Sequence, residues 1–107
     1  MKTIYKYTIG ITPEIAAGIN LEEKIYVPAG SKILCCKVQN KTDVCVWVEL
    51  EESELSNPKE TLQPITFKIF GTGWNMDFHL KDKNYEYIDT FMIGDGVFVY
   101  HVYAIYE

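Results

Sequence analysis

Tyr85-Glu86-Tyr87-Ile88-Asp89-Thr90-Phe91-Met92-Ile93-Gly94-Asp95-Gly96-Val97-Phe98-Val99-Tyr100-His101-Val102-Tyr103-Ala104-Ile105-Tyr106-Glu107 is the stretch on which the fold turns. Two apolar runs, Tyr87 to Ile93 and Val97 to Tyr106, flank Gly94-Asp95-Gly96. Asp-Gly between apolar runs signals a hairpin, because tight hairpin turns need positive φ. Both runs are rich in β-branched and aromatic residues, which suit a pleated surface. The last run does not alternate: Val97, Val99, His101, Tyr103 and Ile105 lie on one side, and Phe98, Tyr100, Val102, Ala104 and Tyr106 on the other. A strand apolar on both sides is covered on both. The hairpin is therefore expected at the centre of the fold or at a subunit contact.

Working backwards, Pro64 to Phe70 reads as a strand with Ile65, Phe67 and Ile69 facing one way. Gly71-Thr72-Gly73 stops it, and Trp74 to Asn84 reads as a long loop. Lys32 to Gln39 and Asp43 to Glu51 read as two further strands. A three-residue Asn40-Lys41-Thr42 loop would place Val38 opposite Val44, Cys36 opposite Val46 and Leu34 opposite Val48. A two-residue loop would split that apolar face, since a slip of one residue inverts every side chain. Lys2 to Ile9 suits an edge strand, where Lys discourages further pairing. Thr12-Pro13-Glu14 resembles a helix start, with Thr12 as N-cap, running at most to Ala17. Leu21 to Val27 is another strand, followed by a Pro28-Ala29-Gly30-Ser31 turn. Glu51 to Gln63 reads as a polar surface loop. About seven short strands with turns between them predict an all-β fold, an antiparallel β-sandwich or small barrel with minimal helix. The chain, residues 1–107, is expected to form one domain.

Composition narrows the function. Net charge is −5, and all ten basic residues are lysine. Arg forks and basic clusters, the usual readers of phosphate backbones, are missing, which argues against direct nucleic-acid binding. The acids Glu49, Glu51, Glu52 and Glu54 are either a solvated stretch or a patch that imitates nucleic-acid charge for a basic partner. The three cysteines have no metal spacing and suit reduced, buried thiols. No signal peptide or apolar run approaching ~20 residues is visible. A cytosolic setting, no membrane and no cofactor are the matching expectations.

Gly71-Thr72-Gly73 lacks the Lys-Ser/Thr of a phosphate loop. It is either a strand-ending turn or, with Trp74 beside it, a surface for a ligand or partner. His101 is a candidate base only if something orients it. A three-residue Gly94-Asp95-Gly96 loop puts Asp89 across from His101, and a two-residue loop puts Thr90 there. No nucleophile, triad or metal set follows from spacing.

Met1-Lys2-Thr3-Ile4-Tyr5-Lys6-Tyr7, Val27-Pro28-Ala29-Gly30-Ser31-Lys32-Ile33-Leu34, Trp47, Phe70-Gly71-Thr72-Gly73, Tyr87-Ile88-Asp89-Thr90-Phe91 and Val99-Tyr100-His101-Val102 form an ordered series. Across nearly the whole chain it resembles a group of small bacteriophage and prophage proteins. That group has Gly at position 89 and His after Gly-Thr-Gly, so the resemblance assigns no role to Asp89 or Trp74. It implies a phage accessory protein acting in the host bacterial cytoplasm. The resulting expectation is a non-enzymatic, self-associating binding protein that antagonises host defence through protein contact. Its candidate binding residues are Gly71, Thr72, Gly73, Trp74, Glu49, Glu51, Glu52 and Glu54. The alternatives are an oligomeric sponge for a small signalling nucleotide, and a virion or assembly component.

Overall fold

In the computed structural model, residues 1–51 and 62–107 are described. Among these residues, seven strands form two antiparallel sheets. They are β1 (Lys2–Ile11), β2 (Glu22–Pro28), β3 (Lys32–Gln39), β4 (Asp43–Glu51), β5 (Leu62–Gly71), β6 (Asn84–Ile93) and β7 (Phe98–Tyr106). The smaller sheet has the order β1-β4-β3 and the larger β2-β5-β7-β6. Two short helices complete the described chain, α1 (Thr12–Ala16) and α2 (Asp77–Leu80). The all-β sandwich expected from the strand pattern is the architecture found.

Alternation explains the core. Val44, Val46 and Val48 of β4 point inward, as do Ile65, Phe67 and Ile69 of β5 and Tyr100, Val102 and Ala104 of β7. Most are wholly buried. Each such apolar side chain stabilises the fold by roughly 1.5–3 kcal/mol relative to exposure. Cys36 joins this core, and burial, with the nearby Asp89 charge, pushes its thiol pKa up to about 12. It stays a protonated, inert packing group at neutral pH.

The turns obey the chemistry of their residues. Asp95 and Gly96 have φ of 55° and 90°, and Val97 N–H donates to the Gly94 carbonyl at 3.1 Å. Positive φ at both central positions makes this a two-residue type I′ turn. The register is accordingly Thr90 opposite His101. Gly30, at φ 83°, serves the Pro28–Ser31 turn, which Ser31 N–H closes onto the Pro28 carbonyl.

Register shifts break the ideal ladders at three places, the first at Ile9 of β1, between Thr8 opposite Cys45 and Gly10 opposite Val44. Val38 pairs with Val44 and Cys36 with Val46, as the odd loop requires, but Ile33 rather than Leu34 sits opposite Val48. Leu34 is the extra residue and is 40% exposed. The bulge returns Ile33 to the inner face, an outcome that strict alternation misses. In β6 the extra residue is Ile88, between Tyr87 opposite Tyr103 and Asp89 opposite Val102.

β3 and β6 are edge strands of different sheets, and they meet through Asp89. Its carboxylate accepts from the Cys36 N–H at 3.1 Å and from Lys37 Nζ at 3.1 Å. It also accepts from the Thr90 N–H at 2.8 Å. Burial would raise the Asp89 pKa, but the two backbone N–H groups and the Lys37 ammonium outweigh it and hold the carboxyl below its usual range.

Several expectations need correction. Within the terminal hairpin, β7 is central but β6 is an edge of its sheet. The Trp74–Asn84 segment is not a plain loop, because it contains α2 and Asn84 opens β6. Leu80 is the reason: it buries against Phe70 and Ile105, giving the segment a small core of its own. Thr12 is not the N-cap of α1. Ile11 holds that position without a side-chain cap, and the Thr12 hydroxyl donates to the Lys41 carbonyl at 3.0 Å. Of the expected Glu51–Gln63 loop, Glu51 ends β4 and Leu62 and Gln63 open β5; residues 52–61 lie outside the described residues.

Asp89→Ala strips acceptors from two backbone donors, one of them tying the sheets together, and is expected to cost about 2 kcal/mol in urea unfolding. Because the folded pKa is lowered, the wild-type contribution is present above the unfolded carboxyl value of about 3.9 and lost as pH falls through the folded value. The difference between wild type and Asp89→Ala should therefore shrink in acid.

Candidate binding site on the outer face of the larger sheet

The alternation that buries Tyr100, Val102 and Ala104 sends Val99, His101, Tyr103 and Ile105 to the outer face. From β5, Thr66, Lys68 and Phe70 lie beside them. From β6 come Tyr85, Tyr87, Thr90 and Met92. Tyr85 and Tyr87 share a side with Thr90 and Met92 only because the bulge at Ile88 shifts the alternation by one. α2 lies across part of this face, with Leu80 pinned on Phe70 and Ile105.

Tyr103 is the aromatic hub. Its ring centroid lies 5.8 Å from Phe70, 6.0 Å from Tyr85 and 5.7 Å from Tyr87. Such tilted and edge-on pairs stabilise a surface beyond the area they bury. The surface nevertheless stays open: Tyr85 is 50% exposed, Tyr87 51% and Phe78 of α2 88%. A groove of about 520 Å³ runs beside α2, with Tyr85, Tyr103 and Phe78 among its walls.

Beside the rings runs a chain of polar contacts. Tyr87 Oη lies 2.6 Å from Thr90 Oγ1, which lies 3.0 Å from His101 Nδ1. On the other side, His101 Nε2 is 2.8 Å from Thr72 Oγ1, which donates to the Val99 carbonyl at 3.4 Å. One direction satisfies every member: Tyr87 donates to Thr90, Thr90 to Nδ1, Nε2–H to Thr72, and Thr72 to the carbonyl. His101 is thus held between two hydroxyls. Asp89, the alternative partner weighed from sequence, is turned away to β3. Among the described residues, no carboxylate hydrogen-bonds the imidazole, so the arrangement lacks the third member of a charge-assisted triad.

The residues singled out from sequence lie in two separate places. Gly71 ends β5, opposite Tyr100. Thr72 enters the His101 chain, and Gly73, at φ 88°, carries the turn that Trp74 N–H closes onto the Gly71 carbonyl. Glycine at 71 serves a close approach, but the approaching group is the protein's own Trp74: a Cβ there would stand 2.5 Å from the indole. Trp74 also packs edge-on against Tyr100 at 6.2 Å. Glu49 and Glu51 sit on the other sheet, at the far end of the sandwich. Glu49 is opposite Lys32 and Ile4 in the ladders, and Glu51 pairs with the Met1 ammonium at 3.2 Å. Glu52 and Glu54 lie outside the described residues.

Sequence reasoning missed Phe78, Tyr85, Tyr87 and Tyr103 as a surface. The signal was present in Tyr85, Tyr87 and Tyr103 of the terminal hairpin, but an apolar outer side of β7 reads equally as a second buried side. Among the described residues, no group of three or more His, Cys, Asp or Glu could hold a metal ion, and no helix is long and apolar enough to cross a membrane.

A family model described as Domain of unknown function (DUF7352) matches residues 1–107. No curated protein and no solved structure matches the chain.

Gly71→Ala should push the Trp74 indole off Tyr100 rather than unfold the protein, because Trp74 is 47% exposed and can swing outward. In a Trp47→Phe background, the change is expected as a red-shifted tryptophan emission. An unchanged spectrum would mean that the indole does not rest on Gly71 in solution.

Proposed function

We propose that this chain, which belongs to the DUF7352 domain family along its whole length, is a non-enzymatic binding protein that works through the aromatic outer face of its larger sheet. The carrying observation is the cluster of exposed rings, Phe78, Tyr85 and Tyr87, arranged around Tyr103. Tyrosine offers a large, rigid contact area with a polar tip and loses little rotamer freedom on binding, so it is favoured at interfaces. Scattered apolar residues are ordinary on a surface, but a contiguous ringed patch is a recognition feature.

The resemblance to small phage proteins supplies the setting in this reading: the host bacterial cytoplasm, with a host defence protein as target. Self-association through the same sheet is part of the proposal. The acidic balance of the chain favours a basic partner. Glu49 and Glu51 contribute to that balance from the other sheet, so the long-range field rather than direct contact is their role.

The proposal is tested by affinity capture from bacterial lysate with wild type and with a Tyr85→Ala/Tyr87→Ala variant. A specific host protein should be recovered with wild type and reduced about tenfold or more with the variant, since buried tyrosines are frequent hot spots. Equal recovery by both proteins, with the variant's fold confirmed by circular dichroism, would remove this face from the interface.

A further inference from the structure

The groove beside α2 has a composition that generic protein contact does not require. Its volume of about 520 Å³ lies in the range of small-molecule sites. Tyr85 and Tyr103 offer ring faces tilted at 60° to one another, and Phe78 stands almost fully exposed above them. The same groove is lined by Lys81 and Lys83 and by Asp77 and Asp82. Among the described residues, neither lysine forms an ion pair. Lys83 also borders a second, polar groove, where Lys24 and Lys68 are already paired with Glu107 and Glu22, so the cations left for a ligand are Lys81 and Lys83.

From this set we infer a site for a small purine nucleotide. The exposed rings of Phe78 and Tyr85 and the half-buried ring of Tyr103 are a stacking platform, and every base has a π-face to lay on it. An ammonium is a point charge that neutralises phosphate without needing a bidentate fork. The carboxylates would repel phosphate if they stood alone. Beside a ring platform they have a use, because a carboxylate is acceptor-only and pairs with the amino group of adenine or with the amino group and ring N–H of guanine. Rings, cations and acceptors in one groove thus match the three parts of such a ligand: base plane, phosphate and N–H edge. An anion lacking a ring, or a ring lacking a charge, uses only part of it.

The site differs in place from the Gly71–Trp74 turn, where the indole occupies the space that glycine leaves. It shares Phe78, Tyr85 and Tyr103 with the protein-contact reading and adds to them the charged groups of the groove. A groove that binds nucleotide while lysate capture recovers no partner would sustain this inference alone, and the converse would sustain only the other.

The experiment is isothermal titration of the full chain with guanosine 5′-monophosphate and adenosine 5′-monophosphate, with guanosine and inorganic phosphate as partial ligands. A nucleotide should bind more tightly than either part. Tyr85→Ala and Lys83→Ala should each weaken it about tenfold, while Lys32→Ala, on the other sheet, should not. Both groove residues are exposed, so the variants should fold, which circular dichroism checks. Absence of heat up to about 1 mM nucleotide, or binding indifferent to Tyr85 and Lys83, overturns the inference. Tighter binding of an acidic, tyrosine-containing peptide, weakened by the same two substitutions, also overturns it and reassigns the groove to a protein partner.

Discussion

One carboxylate joins the two halves of this sandwich. Asp89 leaves the bulge of β6 and accepts the N–H of Cys36, a donor on the edge of β3. Without it, that donor would need water, and two sheet edges would face each other with only side-chain packing between them. Lys37 closes over the outside of the contact. The ion pair by itself is half exposed and adds little. The backbone-to-carboxylate bonds matter more, because an unmet buried donor costs more than a met one gains.

That constraint sorts the rest of the molecule into faces. With Asp89 committed to β3, His101 must find other partners, and it finds Thr90 and Thr72. With β6 bulged to deliver Asp89, Tyr85 and Tyr87 join Thr90 on the outer side. The clasp and the aromatic face are therefore two results of one irregularity. The thiols follow the same division: Cys36 is sealed in the core, whereas Cys35 lies half-buried beside Trp47 on the other side of its sheet.

Much of the fold was legible in the sequence because it depends on period and turn chemistry. The apolar triplets of β4, β5 and β7 repeat at every second residue, and Asp95-Gly96 names its own turn. The Val38–Val44 and Cys36–Val46 pairs follow from a single argument about loop parity. What was not legible depends on contacts between distant elements. Leu34 and Ile88 carry no local mark of a bulge; their positions are set by which neighbours must reach the core. Leu80 gives no sign in a short segment that it will find Phe70 and Ile105. The aromatic face was obscured for a related reason. A strand with rings on both sides predicts cover on both, and here α2 covers only part of one. Gly71 and Trp74 were rightly seen as belonging together, but their contact is with each other.

The bulge at Ile88 has an evolutionary corollary. Amino-acid replacements along Asn84–Tyr87 leave the pleat in phase, so the surface can drift in chemistry while keeping its geometry. Ironing out the bulge with every residue kept is a different event. It would rotate the two tyrosines toward the interior and bring Glu86 to the outside, exchanging a ringed surface for a charged one in a single step. The irregularity at Ile88 is thus under tighter constraint than the spelling of the residues before it.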